Sequence, residues 1–511
     1  TTWTFNELLT YSKVIDKHHF DILLGHESYE YEYNYLTASM KEQKFDNNYE
    51  LGNYANLNTT PNSYTHKYAT EGYLSRFNYD YNSKYFVSGS FRRDGSSRFY
   101  KDSRWGNFWS IGGGWRIDKE KFMSKFEFID LLKLRASYGE VGNDDIGGYY
   151  PWRATYENAQ NAGEAGYIQS SLGNKNLQWE VSHNFDVAVE FGFLNKVRGS
   201  IEYFNRKSSN LLFSVPLSFS TGMESQDMNA GSMYNRGIEV EINTNIFDRK
   251  DFTWDVNVNA THIKNKVTDL PVDPFISGKH KVEEGHSRYE FYLRQWRGVD
   301  PATGSSLYLP NETALKESES LVDVNGTTYT TNINEALEDY CGDAMPKVSG
   351  GISTNLTYKG FNLALTFYYQ LGGKMYDTAY SSLMSPGTGS LSYSTMHVDI
   401  LKRWQKPGDI TNVPRVSNGS DATNLTGSST QWLVSSNMLE LSTINFGYTF
   451  PKTWISRFSL SDLKLYFSAE NVFQITKRQG IYPRKNISGY ASNGDVYLPS
   501  RVFTMGLNLT F

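Results

Sequence analysis

A single cysteine, Cys341, stands in 511 residues, so neither an intrachain disulfide nor a cysteine-based zinc cluster can form. It is expected to be an incidental loop thiol. An excess of charge of one sign is lacking as well: 50 Lys+Arg stand against 55 Asp+Glu, without the basic surplus that a nucleic-acid footprint needs. DNA and RNA are therefore not expected as partners. No apolar run approaches the roughly 18 residues of a transmembrane helix, which excludes a helical membrane protein. The opening TTWTFNELL is not read as a signal peptide, since it lacks the charged-then-apolar plan. Only 39% of residues are hydrophobic. A β-barrel survives these exclusions, because its lipid-facing side chains alternate with polar ones that face the lumen. The abundance of 37 Tyr, 30 Phe and 11 Trp suits that case.

Period decides what the composition leaves open. In the last eleven residues Phe503, Met505, Leu507, Leu509 and Phe511 fall on one face, with Val502, Thr504, Gly506, Asn508 and Thr510 on the other. Phe361, Leu363, Leu365 and Phe367 alternate with Asn362, Ala364 and Thr366, and Trp254, Val256 and Val258 with Asp255, Asn257 and Asn259. A period of two marks strands. A soluble sandwich alternates too, so connection lengths must separate the two architectures. Strands are predicted near residues 1–14, 19–31, 67–80, 84–95, 103–118, 130–141, 178–193, 196–208, 233–247, 251–265, 288–299, 305–309, 348–358, 361–372, 438–449, 462–473 and 501–511. Tight turns at Asp16-Lys17-His18, Tyr81-Asn82-Ser83, Leu194-Asn195-Lys196, Asp248-Arg249-Lys250, Asp300 to Gly304 and Lys359-Gly360 alternate with links of roughly 20 to 65 residues in most cases, well beyond the usual loop length. Outer-membrane barrels have this plan, with short turns on one side and long loops on the other. Seventeen strands is an odd number, whereas single-chain bacterial barrels are even, so the chain is expected to be the C-terminal part of a barrel whose first strands lie elsewhere.

The motifs agree. RRDGSSRF (Arg92 to Phe99), GNFWSIGGGWRIDKEKFM, LRASYGEVGN, GNKNLQWE, YNRGIEVEIN, WQKPGDITNVPR, INFGYTFP and LYFSAENVFQITK follow one another along the whole chain, and together they resemble the SusC/RagA family of TonB-dependent outer-membrane transporters. That resemblance implies an all-β fold, a transmembrane antiparallel β-barrel of 22 strands with about 17 in this chain. Residues 1–511 then form the C-terminal part of the barrel, and the N-terminal plug and first strands are absent from them. It further implies a SusD-like surface lipoprotein as lid, the TonB system as energy source through the missing N-terminal region, and outer-membrane lipid as surroundings. No cofactor is implied.

Candidate sites are few. In RRDGSSRF, Asp94-Gly95 is expected to turn tightly, with Arg92, Arg93 and Arg98 available to carboxylates; a structural hairpin is the blander alternative. IGGGWRI lacks the Lys and Ser/Thr of a phosphate loop, and its glycines suit a bend or a close approach. GNDD (Gly142 to Asp145) lacks calcium-loop spacing and reads as a solvated loop. His18-His19 falls in a turn without acidic companions. Trp105, Trp109, Trp254 and Phe511 are expected in interfacial girdles. The densest loop aromatics, Tyr149, Tyr150 and Trp152 in GGYYPWRATY, are candidates for contact with a ligand or lid, since flat rings with polar tips can stack and hydrogen-bond. Trp404, in the segment between Gly372 and Met438, is a further candidate. No catalytic or metal-binding constellation stands out. The expected function is therefore active import of a nutrient, glycan first and oligopeptide second; a passive porin or surface-binding protein and a glycan hydrolase are the competing classes.

Overall fold

In the computed structural model, which describes residues 1–385, 395–417, 420–490 and 498–511, the dominant feature is an antiparallel sheet of fifteen strands. They are β1 (Thr2–Ile15), β2 (His18–Gln43), β3 (Tyr54–Tyr81), β4 (Tyr85–Ser96), β5 (Trp105–Arg116), β6 (Ile129–Asn143), β7 (Glu180–Phe193), β8 (Val197–Ser209), β9 (Ser232–Arg249), β10 (Phe252–Asp269), β11 (Val348–Tyr358), β12 (Phe361–Leu371), β13 (Met438–Thr449), β14 (Asp462–Thr476) and β15 (Val502–Thr510). Each neighbours the next in the sheet. By contacts the chain divides into two compact units: Thr1–Ser124 with Lys133–Val187 and Asn205–Met233, and Lys125–Leu132 with Ala188–Phe204 and Tyr234–Phe511.

Turn chemistry explains the short links. Asp16, Asn82, Ser83, Leu194, Asn195 and Lys359 all hold φ near +50°, and Gly360 follows at +91°; Asn, Asp and Gly tolerate this left-handed region best. Short and long connections alternate along most of the chain; the links 117–128 and 450–461 on the short side are exceptions, longer than 44–53 and 97–104 on the long side. Residues 16–17, 82–84, 194–196, 250–251 and 359–360 make tight turns, whereas 144–179, 210–231, 270–347, 372–437 and 477–501 intervene on the other side.

Register fixes the faces. In the second unit Leu363 pairs with Phe446 and Leu365 with Ile444, while Asn362 pairs with Gly447, Ala364 with Asn445 and Thr366 with Thr443. One face of β12–β13 is thus apolar and the other polar or small. The last two strands repeat it: Leu465, Phe467 and Ala469 oppose Leu507, Met505 and Phe503. Polar side chains on the opposite face bond to one another, Asn257 to Asn243, Asn245 to Asp255 and Asn362 to Asn355. Rings collect beside the short turns, Phe247 on Trp254 and Phe361 on Tyr448, where an aromatic girdle belongs. Trp105 and Trp109, in the first unit, keep rings more than a third exposed.

Three expectations are corrected. The segments near 288–299 and 305–309 are not strands of the large sheet. Glu290–Arg294 joins Phe275–Ser277, His280–Val282 and Glu338–Asp343 in one small sheet, and Trp296–Val299 joins Ser306–Tyr308, Leu321–Val324 and Thr327–Thr330 in another. Runs of three to six residues fall short of the 9 to 11 that cross a bilayer, and Phe291, Leu307 and Tyr308 are buried in the loop domain these sheets build. The count becomes fifteen, still odd. Second, β2 and β3 are far longer than expected: they stay paired to Gln43↔Tyr54, well past the first residue of β1 (Thr2↔Tyr31) and the last of β4 (Thr70↔Ser96). Third, Asp94 and Gly95 do not turn; both lie in β4, paired with Gly72 and Glu71.

Candidate functional site

The ribbon formed by the overlong part of β2 and β3 builds the main candidate site in the first unit. Strand alternation puts Tyr29, Tyr31, Tyr33 and Tyr35 on one face of β2, and the register adds Tyr64 opposite Tyr35, His66 opposite Tyr33 and Tyr68 opposite Tyr31. The rings form a run: Tyr31 to Tyr33 at 6.4 Å and 5°, Tyr33 to Tyr35 at 6.4 Å, Tyr35 to Tyr64 at 4.8 Å and Tyr64 to His66 at 4.6 Å. Tyr149, expected from the sequence, docks on it. Its ring lies 4.6 Å from His66 at 14° and 6.2 Å from Tyr31 at 10°.

Tyr149 is held there by the RRDGSSRF and GNDD segments, which meet. Asp144 accepts hydrogen bonds from Ser96 Oγ at 2.6 Å and Tyr68 Oη at 2.8 Å, and Arg98 reaches Asp144 at 3.5 Å and Asp145 at 3.0 Å while lying 4.6 Å over the Tyr68 ring. Bonds to a charged acceptor are worth about 1.5–3 kcal/mol each when shielded. Asp144 is therefore a structural anchor rather than the solvated residue expected; Asp145 keeps its side chain exposed. Two Asx bonds shape the loop that follows, Asp145 N–H to Asn143 Oδ1 and Gly147 N–H to Asp145 Oδ1, with Gly147 at φ +80°.

Tyr150 and Trp152 have different surroundings from Tyr149. Tyr150 Oη accepts from the Lys67 backbone N–H at 2.9 Å. Trp152 donates through Nε1 to the Ser97 carbonyl at 3.3 Å and packs against Tyr100 at 5.4 Å. Arg153 covers both rings, 5.3 Å from Tyr150 and 4.5 Å from Trp152. The sequence reading missed Tyr31, Tyr33, Tyr35, Tyr64 and His66, although Tyr at every second position from 29 to 35 is itself a strand signal.

Trp404 belongs to the second unit and serves a turn. Its Nε1 donates to the Pro301 carbonyl at 2.9 Å, and its indole lies where a Cβ on Gly304 (φ +71°) would come within 2.5 Å. In WQKPGD the backbone N–H groups of Gln405 and Lys406 both reach Asp409 Oδ2, at 3.0 and 3.1 Å, and hold that carboxyl below its usual range. In the same unit, Arg478 pairs with buried Asp377 at 3.0 Å and lies 3.5 Å over Tyr380. Tyr380 bonds to Asp399, whose carboxyl is held low by the Lys402 ammonium first and the Tyr380 hydroxyl second. Cys341 lies in the 270–347 loop structure but is partly buried there. It lies in Glu338–Asp343, its Sγ donates to the Phe291 carbonyl, and burial pushes it up to about 12. Stacking and hydrogen bonding are the chemistry these side chains offer.

An antiparallel sheet with one apolar and one polar face, tight turns at one set of strand ends and long structured loops at the other is an outer-membrane β-barrel wall. The chain belongs to the TonB dependent receptor-like, beta-barrel family, whose pattern matches residues 2–472. It is 30% identical to TonB-dependent receptor P39 of Formosa agariphila, over 97% of this chain and 51% of that protein. To TonB-dependent receptor SusC of Bacteroides thetaiotaomicron it is 26% identical, over 99% and 50% respectively. The solved RagAB peptide transporter superposes with a TM-score of 0.84 at 26% identity, covering all of this chain and 55% of that one. The SusC/RagA resemblance is thereby borne out. The chain spans about half the length of the curated relatives it matches.

Proposed function

We propose that these 511 residues form the wall and loops of an active nutrient importer that performs no covalent chemistry. A plug contributed from outside these residues closes the lumen and engages the TonB system, and a SusD-like surface lipoprotein closes the mouth. The observation that carries this reading is the internal packing of the long loops. A bare pore has no use for loops that build cores, whereas residues 270–347 and the described parts of 372–437 share one buried cluster, around Phe291, Tyr376 and Trp432, and 270–347 builds a second around Tyr308 and Ile333. Such loops suit a partner and a captured solute. A glycan is the favoured solute, because the tyrosine run presents rings with hydroxyl rims. An oligopeptide is the second reading, supported by the likeness to the RagAB peptide transporter. The test is energised uptake: cells carrying the receptor should accumulate its solute, and loss of TonB or of the proton gradient should abolish this. Uptake that persisted without TonB, or native purification with neither a lid protein nor a plug, would transfer support to the passive reading.

A further inference from the structure

We propose that the tyrosine face of the β2–β3 ribbon, with Tyr149, is a binding platform for an uncharged saccharide chain; this deepens the import reading above and rests on it. Three observations meet here. The first is segregation of charge. On the ribbon, Glu30, Glu32 and Lys67 point away from the rings, and Lys67 pairs with Glu32 at 3.0 Å. Among the described residues of the ribbon, the face made by Tyr31, Tyr33, Tyr35, Tyr64 and His66 carries no carboxylate, ammonium or guanidinium. At its base Arg98 pairs with Asp144 and Asp145, and Arg153 lies over Tyr150 and Trp152.

The second observation is that the rings are only partly used by one another. Tyr33 and Tyr64 remain 39% and 40% exposed, and successive rings along β2 stand 6.4 Å apart, too far for full face contact. A pyranose ring has an apolar face of C–H groups and a polar rim, and a tyrosine presents the matching pair of surfaces. A charged polymer would gain nothing from this face and would lose hydration on it.

The third is continuity. The row on β3 that ends in Tyr68, His66 and Tyr64 continues, two residues at a time, from Asn78 and Arg76. These lie opposite Ser88 and Ser90 of β4, and the polar row of β4 goes on through Arg92 and Asp94. The tyrosines therefore extend the polar, lumen-side face of the wall beyond the neighbouring strands. A solute resting on them is delivered to that face, not to the lipid side.

The experiment uses the whole receptor purified from outer membranes with its natural companions, wild type and Tyr33→Ala/Tyr64→Ala, with Tyr33→Phe/Tyr64→Phe to keep the rings. The probes are maltohexaose, cellohexaose and xylohexaose, with hexagalacturonate as the charged counterpart and hexaalanine as the peptide, titrated calorimetrically. At least one neutral hexasaccharide should bind, tenfold or more weakly to the alanine pair and two- to fivefold more weakly to the phenylalanine pair, with heat-modifiable mobility of the barrel unchanged. The proposal is overturned if no neutral hexasaccharide binds, if the alanine pair binds like wild type, or if hexagalacturonate or hexaalanine binds as tightly as the best neutral sugar. TonB-dependent uptake undiminished in the alanine pair would sink the platform and leave import standing. Sugar binding that needs Tyr33 and Tyr64, in a receptor whose uptake ignores TonB, would do the reverse.

Discussion

Leu365 and Thr366 are adjacent in β12 and should respond oppositely to the same substitution. Leu365 sits between Thr354 of β11 and Ile444 of β13, on the face of Leu363 and Phe367; Thr366 sits between Ser353 and Thr443, on the face of Asn362 and Asn355. Leu365 lies five positions beyond Gly360 of the tight turn. At about 3.4 Å per residue and a tilt near 40°, that is about 13 Å of height, near the middle of an apolar band about 25 Å tall. Arginine at Leu365 must therefore place a guanidinium in hydrocarbon at a depth where the penalty is about 2–4 kcal/mol. At Thr366 the same guanidinium enters a polar lumen and should change stability by less than about 1 kcal/mol. The assay is urea unfolding of the whole receptor in lipid vesicles, followed by tryptophan emission and heat-modifiable mobility, with Leu365→Arg and Thr366→Arg compared at one lipid composition. Equal losses, or a larger loss for Thr366→Arg, would refute the assignment of faces and with it the reading of the alternation as lipid against lumen.

Three other outcomes follow from local geometry. Gly304→Ala should loosen the Asp300–Gly304 turn by about 1–3 kcal/mol, because φ is +71° and the new Cβ would meet the Trp404 ring at 2.5 Å; faster proteolysis confined to this turn and the Trp404 segment would show it, and unchanged protection would count against it. Glu120 accepts from Lys84 Nζ and Tyr85 Oη at 2.6 Å and from Trp115 Nε1 at 3.0 Å, and these donors, Lys84 foremost, hold its carboxyl at about 2 against an ordinary 4.5. A lowered native value stabilises above the unfolded one and is lost on acidification. The stability gap between wild type and Glu120→Gln should thus be constant above pH 4.5 and close between 4.5 and 2; a gap that widened there would contradict the pairing. Cys341, pushed up to about 12 by burial, should resist maleimide at pH 7.5 in the native receptor and react on unfolding, whereas rapid native labelling would show that its strand opens.

The alternation of apolar and polar residues made β12 and β15 legible because in a barrel wall each side chain sees only one of two solvents. Nothing else competes for Leu363 or Met505. In the loop domains that condition fails. Phe291, Leu293 and Tyr308 are buried in small cores, where a strand of four residues can point apolar side chains either way, so periodicity near 288–309 imitated a wall strand without being one. Length was the signal that could have separated them. The ribbon was missed for the converse reason. The predicted strands stop at residue 31 and resume at 67, because Glu30, Glu32 and Asn34 alternate with the tyrosines where a wall strand would alternate with apolar residues, and alternation of ring and charge is also what a strand facing water on both sides must show.

The site was legible to the same degree and for the same cause. A cluster such as Tyr149, Tyr150 and Trp152 is visible in sequence because its members are adjacent, but adjacency says nothing about what they meet. Folding sends them to three different fates: Tyr149 onto the ring run, Tyr150 to the Lys67 backbone and Trp152 under Arg153. Trp404 acquires its contact from Gly304, one hundred positions upstream, through a glycine whose positive φ leaves room for an indole. Each distribution depends on which backbone comes close, and that is set by the register of β2 with β3 and by the anchoring of Asp144 to Ser96 and Tyr68. The sequence names the aromatic residues; register leaves Tyr33 and Tyr64 with exposed ring area, while Trp152 is partly covered by Arg153 and Tyr100.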